Sequence, residues 1–243
     1  MTEFTTWRSL VDGEIISGIP DSGGTHQWNF DEASGSTVAD SIGSLDGEIN
    51  GASWQTDLGA GDAYLSFDGT DDFVDLDTAS QSAFTHFTEN GEGTLFAWVN
   101  PDAVDNIRAI FSSTPISDEV GITFTIRDGG DVRGAIFDGS GDEMANLTAT
   151  DAITTSDGWI PLAMVADGST IRIYGDNPIT ELNSGSISGG TTDDFDSNVS
   201  FGRRTSLDDS YFDGGIDLPW TDEVARSESA LQSFVDDSAQ FYD

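Results

Sequence analysis

The sequence predicts an all-β protein: two antiparallel sheets stacked as a sandwich, one short C-terminal helix and an N-terminal arm. Three observations predict it. Short runs rich in Val, Ile, Phe, Tyr and Thr recur between clusters of Gly, Asp, Asn and Ser. Many of these runs alternate with period two, so one face is buried and one is wet. Turn signals, among them 28 glycines, fall at intervals of roughly 8–12 residues, as in sandwiches.

Taken in order, residues 1–22 form the arm. Trp7, Leu10, Val11, Ile15, Ile16 and Ile19 make it more apolar than a solvated tail. An added strand is the other reading. The body, residues 23–243, is complete without one, which favours an arm that docks on another subunit. Strands are expected at His26–Phe30, Tyr64–Phe67, Phe73–Leu76, Gly93–Asn100, Arg108–Ser113, Gly121–Arg127, Val132–Phe137 and Trp159–Ala166. Three more follow at Thr170–Tyr174, Asn198–Gly202 and Phe212–Asp217. In Gly121–Arg127, Ile122, Phe124 and Ile126 face one way and Thr123 and Thr125 the other. Asp167-Gly168, between WIPLAMVA and STIRIY, is the strongest short hairpin signal in the chain. The helix is expected over Asp222–Asp236, capped by Thr221 or Asp222, with Val224, Leu231, Phe234 and Val235 as its buried stripe.

Charge narrows the function. The chain of 243 residues carries 45 acidic and 8 basic side chains, a net charge of −37; every basic residue is arginine. No basic surface exists to neutralise phosphates, which excludes nucleic acid as a partner and disfavours anionic lipid heads. No run of about 18 apolar residues exists, so no membrane insertion by a helix is expected. With 6 Trp, 15 Phe and 4 Tyr the chain has a core to build, and its acids are dispersed rather than blocked into a tail. Such a surface repels itself in dilute buffer; at molar salt the Debye length shrinks to about 3 Å and the penalty goes. Dispersed Asp without Lys therefore reads as halophilic adaptation. Cysteine is absent, so no disulfide or thiolate site is possible. The opening residues, MTEFTTWRSLVDGEIISGIPDS, lack a basic n-region, an apolar h-region and a twin-arginine pair, and no export signal is expected in them.

The segments HQWNFDEASGSTVADSIGSLDGEINGASW, YLSFDGTDDFVDL, GTLFAWVNPD, WIPLAMVADGSTIRIYGDN and VSFGRR…YFDGGID, followed by the closing helix, run in an order that resembles the LamG-like jelly-roll domains of the concanavalin A-like lectin/glucanase superfamily. The resemblance implies a jelly-roll sandwich that binds glycans or protein surfaces without catalysis and holds structural Ca²⁺ at its rim. It points to Asp40, Asp46 and Asp217 as metal ligands. Where the family has a short uninterrupted strand after the Asp217 position, this chain has Pro219 and Trp220.

The residues agree with a non-catalytic role. Glycosidases of this type place carboxylates at alternate positions of one strand, about 5 Å apart for retention. No Glu-x-Asp-x-Glu run occurs here, and the two histidines, His26 and His86, have no Ser or Cys partner in a recognisable motif. Calcium would need six to eight oxygen ligands; with 34 Asp in the chain, acidic loops also arise from solvation alone. Trp28, Trp98, Trp159, Phe67 and Phe73 read as core. Tyr211 and Trp220, in or beside loops, are candidates to stack on sugar rings or anchor a partner. Arg203-Arg204 is the one basic pair, a candidate grip for a carboxylate or sulfate on an acidic glycan; the alternative is neutralisation of nearby Asp208 and Asp209.

The function expected from these readings is a virion surface protein of a haloarchaeal virus: a tail fibre, turret or decoration. It would bind host surface glycan or S-layer glycoprotein through rim loops. Its arm would engage other virion proteins, in a homo-oligomer that gains from avidity. The alternative is a carbohydrate-binding module of a haloarchaeal surface or secreted protein.

Overall fold

Apolar side chains at every second position force these strands to pair into sheets that bury one face. The computed structural model describes residues 24–58, 63–113, 118–205 and 210–242. The arm residues Trp7, Leu10, Ile15, Ile16 and Ile19 lie outside the described residues, as do Asp208 and Asp209.

Among the described residues, sixteen strands form two antiparallel sheets. In the first, the order is β14 (Thr180–Ser186), β13 (Thr170–Gly175), β12 (Ile160–Asp167), β7 (Glu92–Pro101), β16 (Asp213–Asp222), β5 (Tyr64–Asp68) and β4 (Ser53–Gln55), with β1 (His26–Gln27) also on β16. In the second, it is β11 (Glu143–Ala149), β10 (Asp131–Asp138), β9 (Val120–Arg127), β8 (Arg108–Ser112), β15 (Ser200–Phe201), β6 (Phe73–Asp75), β3 (Gly47–Asn50) and β2 (Thr37–Val38). The inner faces share one apolar core, including Leu95, Ala97 and Val99 of β7, Leu162 and Met164 of β12, and Ile122, Phe124 and Ile126 of β9. All eleven expected strands are present, with ends shifted by up to a few residues.

Five strands carry little alternation and escape the sequence reading: β2, β3, β4, β11 and β14. β14 is a polar, mostly exposed edge strand, held by its pairing to β13 rather than by burial. Two short helices were also not expected, α1 (Ala79–Ala83) and α2 (His86–Glu89). They drop Phe84 and Phe87 into the core.

The C-terminal helix needs correcting. α3 spans Glu228–Ser238, and its cap is Ser227, whose Oγ accepts from the Ala230 N–H at 3.2 Å. Thr221 and Asp222 belong to β16 instead: the Thr221 hydroxyl donates to the Thr94 carbonyl at 3.0 Å, and the Asp222 carboxylate pairs with Arg226. Val224 is 47% exposed and lies outside the helix, so the buried stripe is Leu231, Phe234 and Val235. Pro219 does not end the preceding strand. Asp217 pairs with Trp98 and Trp220 with Phe96, so three steps on β16 match two on β7. That bulge accommodates a residue without an N–H and keeps Asp217 and Trp220 on one face. Among the described residues no helix is long and apolar enough to cross a membrane.

Candidate functional site

The two sheets differ on their outward faces. On the first, Phe96, Trp98, Ala163, Val165, Tyr174, Leu218 and Trp220 are apolar and buried against Leu231, Phe234 and Val235 of α3. Trp220 stacks on Phe96 with ring centroids 5.4 Å apart, and Phe234 meets Phe96 edge-on at 4.9 Å. α3 covers the centre of this face.

The outward face of the second sheet is polar. One cross-strand row runs through Asn146, Ala135, Thr123, Ser112, Ser200, Asp75, Glu48 and Thr37, one residue from each of the eight strands. The chain neighbours of these residues, such as Ile122, Phe111, Phe201 and Val74, point into the core. Ser112, Thr123 and Ser200 are buried at the centre of the row, where the Thr205 hydroxyl reaches the Ser112 carbonyl at 3.1 Å and Ser200 Oγ at 3.0 Å. The row opens at its two ends.

At the β2–β3–β6 end lies a groove of about 540 Å³. The Arg203 guanidinium lies 3.4 Å from the centroid of the Phe73 ring, and its Nη2 is 3.2 Å from Asp75 Oδ2. The Asn198 amide donates to Asp75 Oδ1 at 2.8 Å. A planar cation on an aromatic face, fixed by a carboxylate, is a pre-organised donor array. Around it are Asp46, Glu48, Asn50 and Asp77, so carboxylates outnumber the one guanidinium.

At the β9–β10 end, Arg133 is 7% exposed. It donates to Glu143 Oε1 at 2.7 Å and Asn146 Oδ1 at 2.8 Å. Burial, and then the positive charge of Arg127, hold its guanidinium below the ordinary arginine range against the pull of Glu143. Burial and then the charge of Arg204 do the same to Arg127.

The residues marked in the sequence divide between these places. Arg203 turns to the groove, while the charge of Arg204 is felt by Arg127 and Arg133. Tyr211 is partly buried, and its carbonyl accepts from Arg108 Nη1 at 3.0 Å. Trp220 is 1% exposed in the layer under α3, so it cannot stack on a sugar as expected; the β16 bulge turns it inward. Of the aromatics read as core, Phe73 is instead partly exposed and lines the groove.

Asp40, Asp46 and Asp217 do not fit a calcium site. Asp40 accepts from the N–H groups of Gln27, Ile42, Gly43 and Leu45 and meets His26 Nδ1 at 2.5 Å. Burial opposes its ionisation, but the bonds from His26 and the backbone outweigh it and hold the carboxyl below its ordinary range. Asp46 lines the groove and accepts from the Asp40 N–H at 2.9 Å. Asp217 is fully buried and accepts from the Tyr242 hydroxyl at 2.7 Å, on the outward side of the other sheet. Among the described residues the one trio of carboxylates within reach of a single ion is Asp68, Asp71 and Asp72, in the β5–β6 turn. There the turn itself uses them: Asp68 Oδ1 accepts from Thr70 N–H and Asp72 Oδ2 from Asp68 N–H.

Residues 68–230 match the model of a Laminin G family of the concanavalin A-like lectin/glucanases superfamily. The chain belongs to that superfamily. Among solved structures, this Laminin G-type chain is similar to the ligand binding domain of botulinum neurotoxin serotype D in complex with N-acetylneuraminic acid. The identity is 14%, with 90% of this chain and 52% of the other covered and a TM-score of 0.62. It is also similar to domain 4 of AbnA, a GH43 extracellular arabinanase from Geobacillus stearothermophilus, in complex with arabinotriose: 16% identity, 86% and 97% covered, TM-score 0.61. The Ruminococcus gnavus IT-sialidase CBM40 follows at 13% identity, 76% and 96% covered, TM-score 0.52. At these identities the likeness is one of fold. The chain spans about half the length of the neurotoxin binding domains it matches. A search of curated proteins finds no match.

The residues that sequence reasoning missed are Asp75, Asn198, Arg127 and Arg133. The signal for three of them was present. Val74 is inward, so Asp75 must be outward; Ile126 is inward, so Arg127 must be outward; Val132 is inward, so Arg133 must be outward. Asn198 lies before β15 and is placed by the fold alone.

Proposed function

We propose that the protein is a non-catalytic recognition module that binds saccharides on the outward face of its second sheet, centred on the Phe73–Arg203 groove. The observation that carries this is the Arg203 guanidinium over the Phe73 ring, held by Asp75, which the Asn198 amide in turn fixes. Sugar hydroxyls both donate and accept, and this groove offers fixed guanidinium donors beside carboxylate and amide acceptors. With carboxylates in excess, the groove itself suits neutral sugar rings. Complexes of similar folds with arabinotriose and with N-acetylneuraminic acid support saccharides as the ligand class.

Within that role, we place the protein on the surface of a haloarchaeal virus, contacting host glycan in several copies. The net charge of −37 without lysine supports the saline setting. The arabinanase domain favours a second reading, a binding module of a haloarchaeal surface or secreted protein. Antibody labelling of virus particles against cell envelopes separates the two.

The test of binding is an oligosaccharide array probed in molar KCl. The wild-type protein is expected to bind a subset saturably. Phe73→Ala and Arg203→Ala are expected to weaken that binding at least tenfold with little change in melting temperature. Unchanged binding by both variants, or no binding by folded wild type, overturns the proposal.

A further inference from the structure

The groove beside Phe73 is lined by four carboxylates, Asp46, Glu48, Asp75 and Asp77, and they are not equivalent. Asp75 is taken up by the protein itself. Its Oδ1 accepts from the Asn198 amide and from the Asp77 N–H, both at 2.8 Å, and its Oδ2 lies 3.2 Å from Arg203 Nη2. Asp46 Oδ1 accepts the Asp40 N–H at 2.9 Å, and Asp77 Oδ1 accepts the Thr78 N–H at 2.5 Å. Among the described residues the Glu48 carboxylate alone of the four accepts no hydrogen bond and closes no ion pair.

The register puts Glu48 in the middle of the site. It is the direct cross-strand neighbour of Asp75 on one side and of Thr37 on the other. Asn50, two residues on and on the same face, is the cross-strand neighbour of Phe73. Directly opposed side chains stand with their Cβ atoms about 4.5–5.5 Å apart. Glu48 is thus one strand away from the Asp75–Arg203 pair on which the groove is built, and it is exposed.

Two like charges directly opposed cost stability. Arg203, bonded to Asp75, offsets that cost on one side of the pair only. An ionised carboxylate has acceptor positions and no donor. At Glu48 they are all left for a ligand. Such a group takes hydroxyls and turns away groups that cannot donate. Salt does not cancel this choice. A ligand carboxylate or sulfate in hydrogen-bond contact with Glu48 would lie within the Debye length of molar salt, about 3 Å.

We propose that Glu48 is the specificity-determining residue of the groove: its carboxylate accepts from a hydroxyl of a neutral sugar and excludes uronic and sulfated sugars. This rests on the saccharide reading above and deepens it. Arg203 then serves a neutral ring, not the acidic glycan that a basic pair suggests in the sequence.

The test is a matched array in molar KCl. It pairs oligosaccharides ending in glucose, galactose or mannose with counterparts ending in glucuronate, galacturonate or mannuronate. Full-length wild type is expected to bind at least one neutral member, and its uronate counterpart about tenfold more weakly or worse. Glu48→Gln keeps the shape and an acceptor oxygen but removes the charge. It should close most of that gap, chiefly by admitting the uronate. Glu48→Ala should weaken the neutral member several-fold. Both variants should melt at or slightly above the wild-type temperature, because an opposed like charge is gone. A Glu48 that only solvates the surface would leave both the ranking and the affinities as in wild type. That result, or a wild type that prefers the uronate, overturns the proposal; neutral binding that still depends on Phe73 would leave the groove standing. No neutral binding by folded wild type overturns the saccharide reading and this proposal together.

Discussion

The outward faces of the two sheets are built by the same alternation and end differently. On the first sheet the outward positions of β7, β12 and β16 are Phe96, Trp98, Val165 and Trp220, and α3 lies over them. On the second the corresponding positions of β8, β9 and β15 are Ser112, Thr123, Thr125 and Ser200. A sheet covered on both faces gives up recognition for stability. The second sheet keeps a polar outward face, buried at Ser112, Thr123 and Ser200 and open at the groove beside Phe73.

The largest effect should come from opening the face under α3. Phe234 is almost fully buried between Phe96 and Trp220. Phe234→Ala removes that packing and leaves a cavity, at about 3–5 kcal/mol. Denaturant unfolding in molar salt should show this loss, while saccharide affinity of the folded protein stays unchanged. Phe73→Ala is the mirror case, losing affinity and little stability. If Phe234→Ala weakened binding in fully folded protein, the division between a structural face and a recognition face would fail.

The core between the faces gives a second handle. His86, on α2, is packed against Phe84 and Phe87, and its Nε2 is buried without a partner. Burial pushes its imidazole down to about 4 from an ordinary 6.5, against a hydrogen bond to Ala83 that favours the charged form. The folded state thus resists a proton that the unfolded chain accepts. Its contribution to stability is complete above pH 6.5 and is lost as pH falls toward 4, by up to about 3 kcal/mol. His86→Gln should flatten this part of the stability–pH curve measured against wild type. Because His86 touches the core shared by both sheets, saccharide binding should disappear only together with folding. Binding lost at higher pH than folding would place a titrating group in the site itself.

The sandwich was legible because its long strands carry their own pattern: in Val120–Arg127 the apolar residues mark the core without help. The short strands were not, because Thr37–Val38 and Gly47–Asn50 are strands only through their partners. The Asp217–Trp220 stretch misled for a related reason. Pro219 reads as a break, and only the pairing with β7 reveals a bulge that carries Trp220 into the core. The site was half legible. Arg203 stood out in a basic pair, but its place over Phe73 depends on which strands flank β15. That order, β8 on one side and β6 on the other, is a long-range fact no local pattern contains.

The smallest effect tests whether the first sheet is as separate as it looks. Gly168 sits in the β12–β13 hairpin at a φ of +83°, a conformation that favours glycine. Asp167 pins the same turn by accepting from the N–H groups of Ser169 and Thr170 and from Arg172. Gly168→Ala adds a Cβ in a left-handed conformation and brings it 3.3 Å from the Asn90 carbonyl, next to α2. The turn should hold, because the Asp167 bonds and the register from Ala163 to Ala166 remain, and the cost should be about 1 kcal/mol. A lower unfolding midpoint with an unchanged saccharide titration is expected. A larger loss accompanied by weaker binding would mean that strain at this hairpin passes through α2 to β9 and β10, and that the two outward faces are coupled through the core.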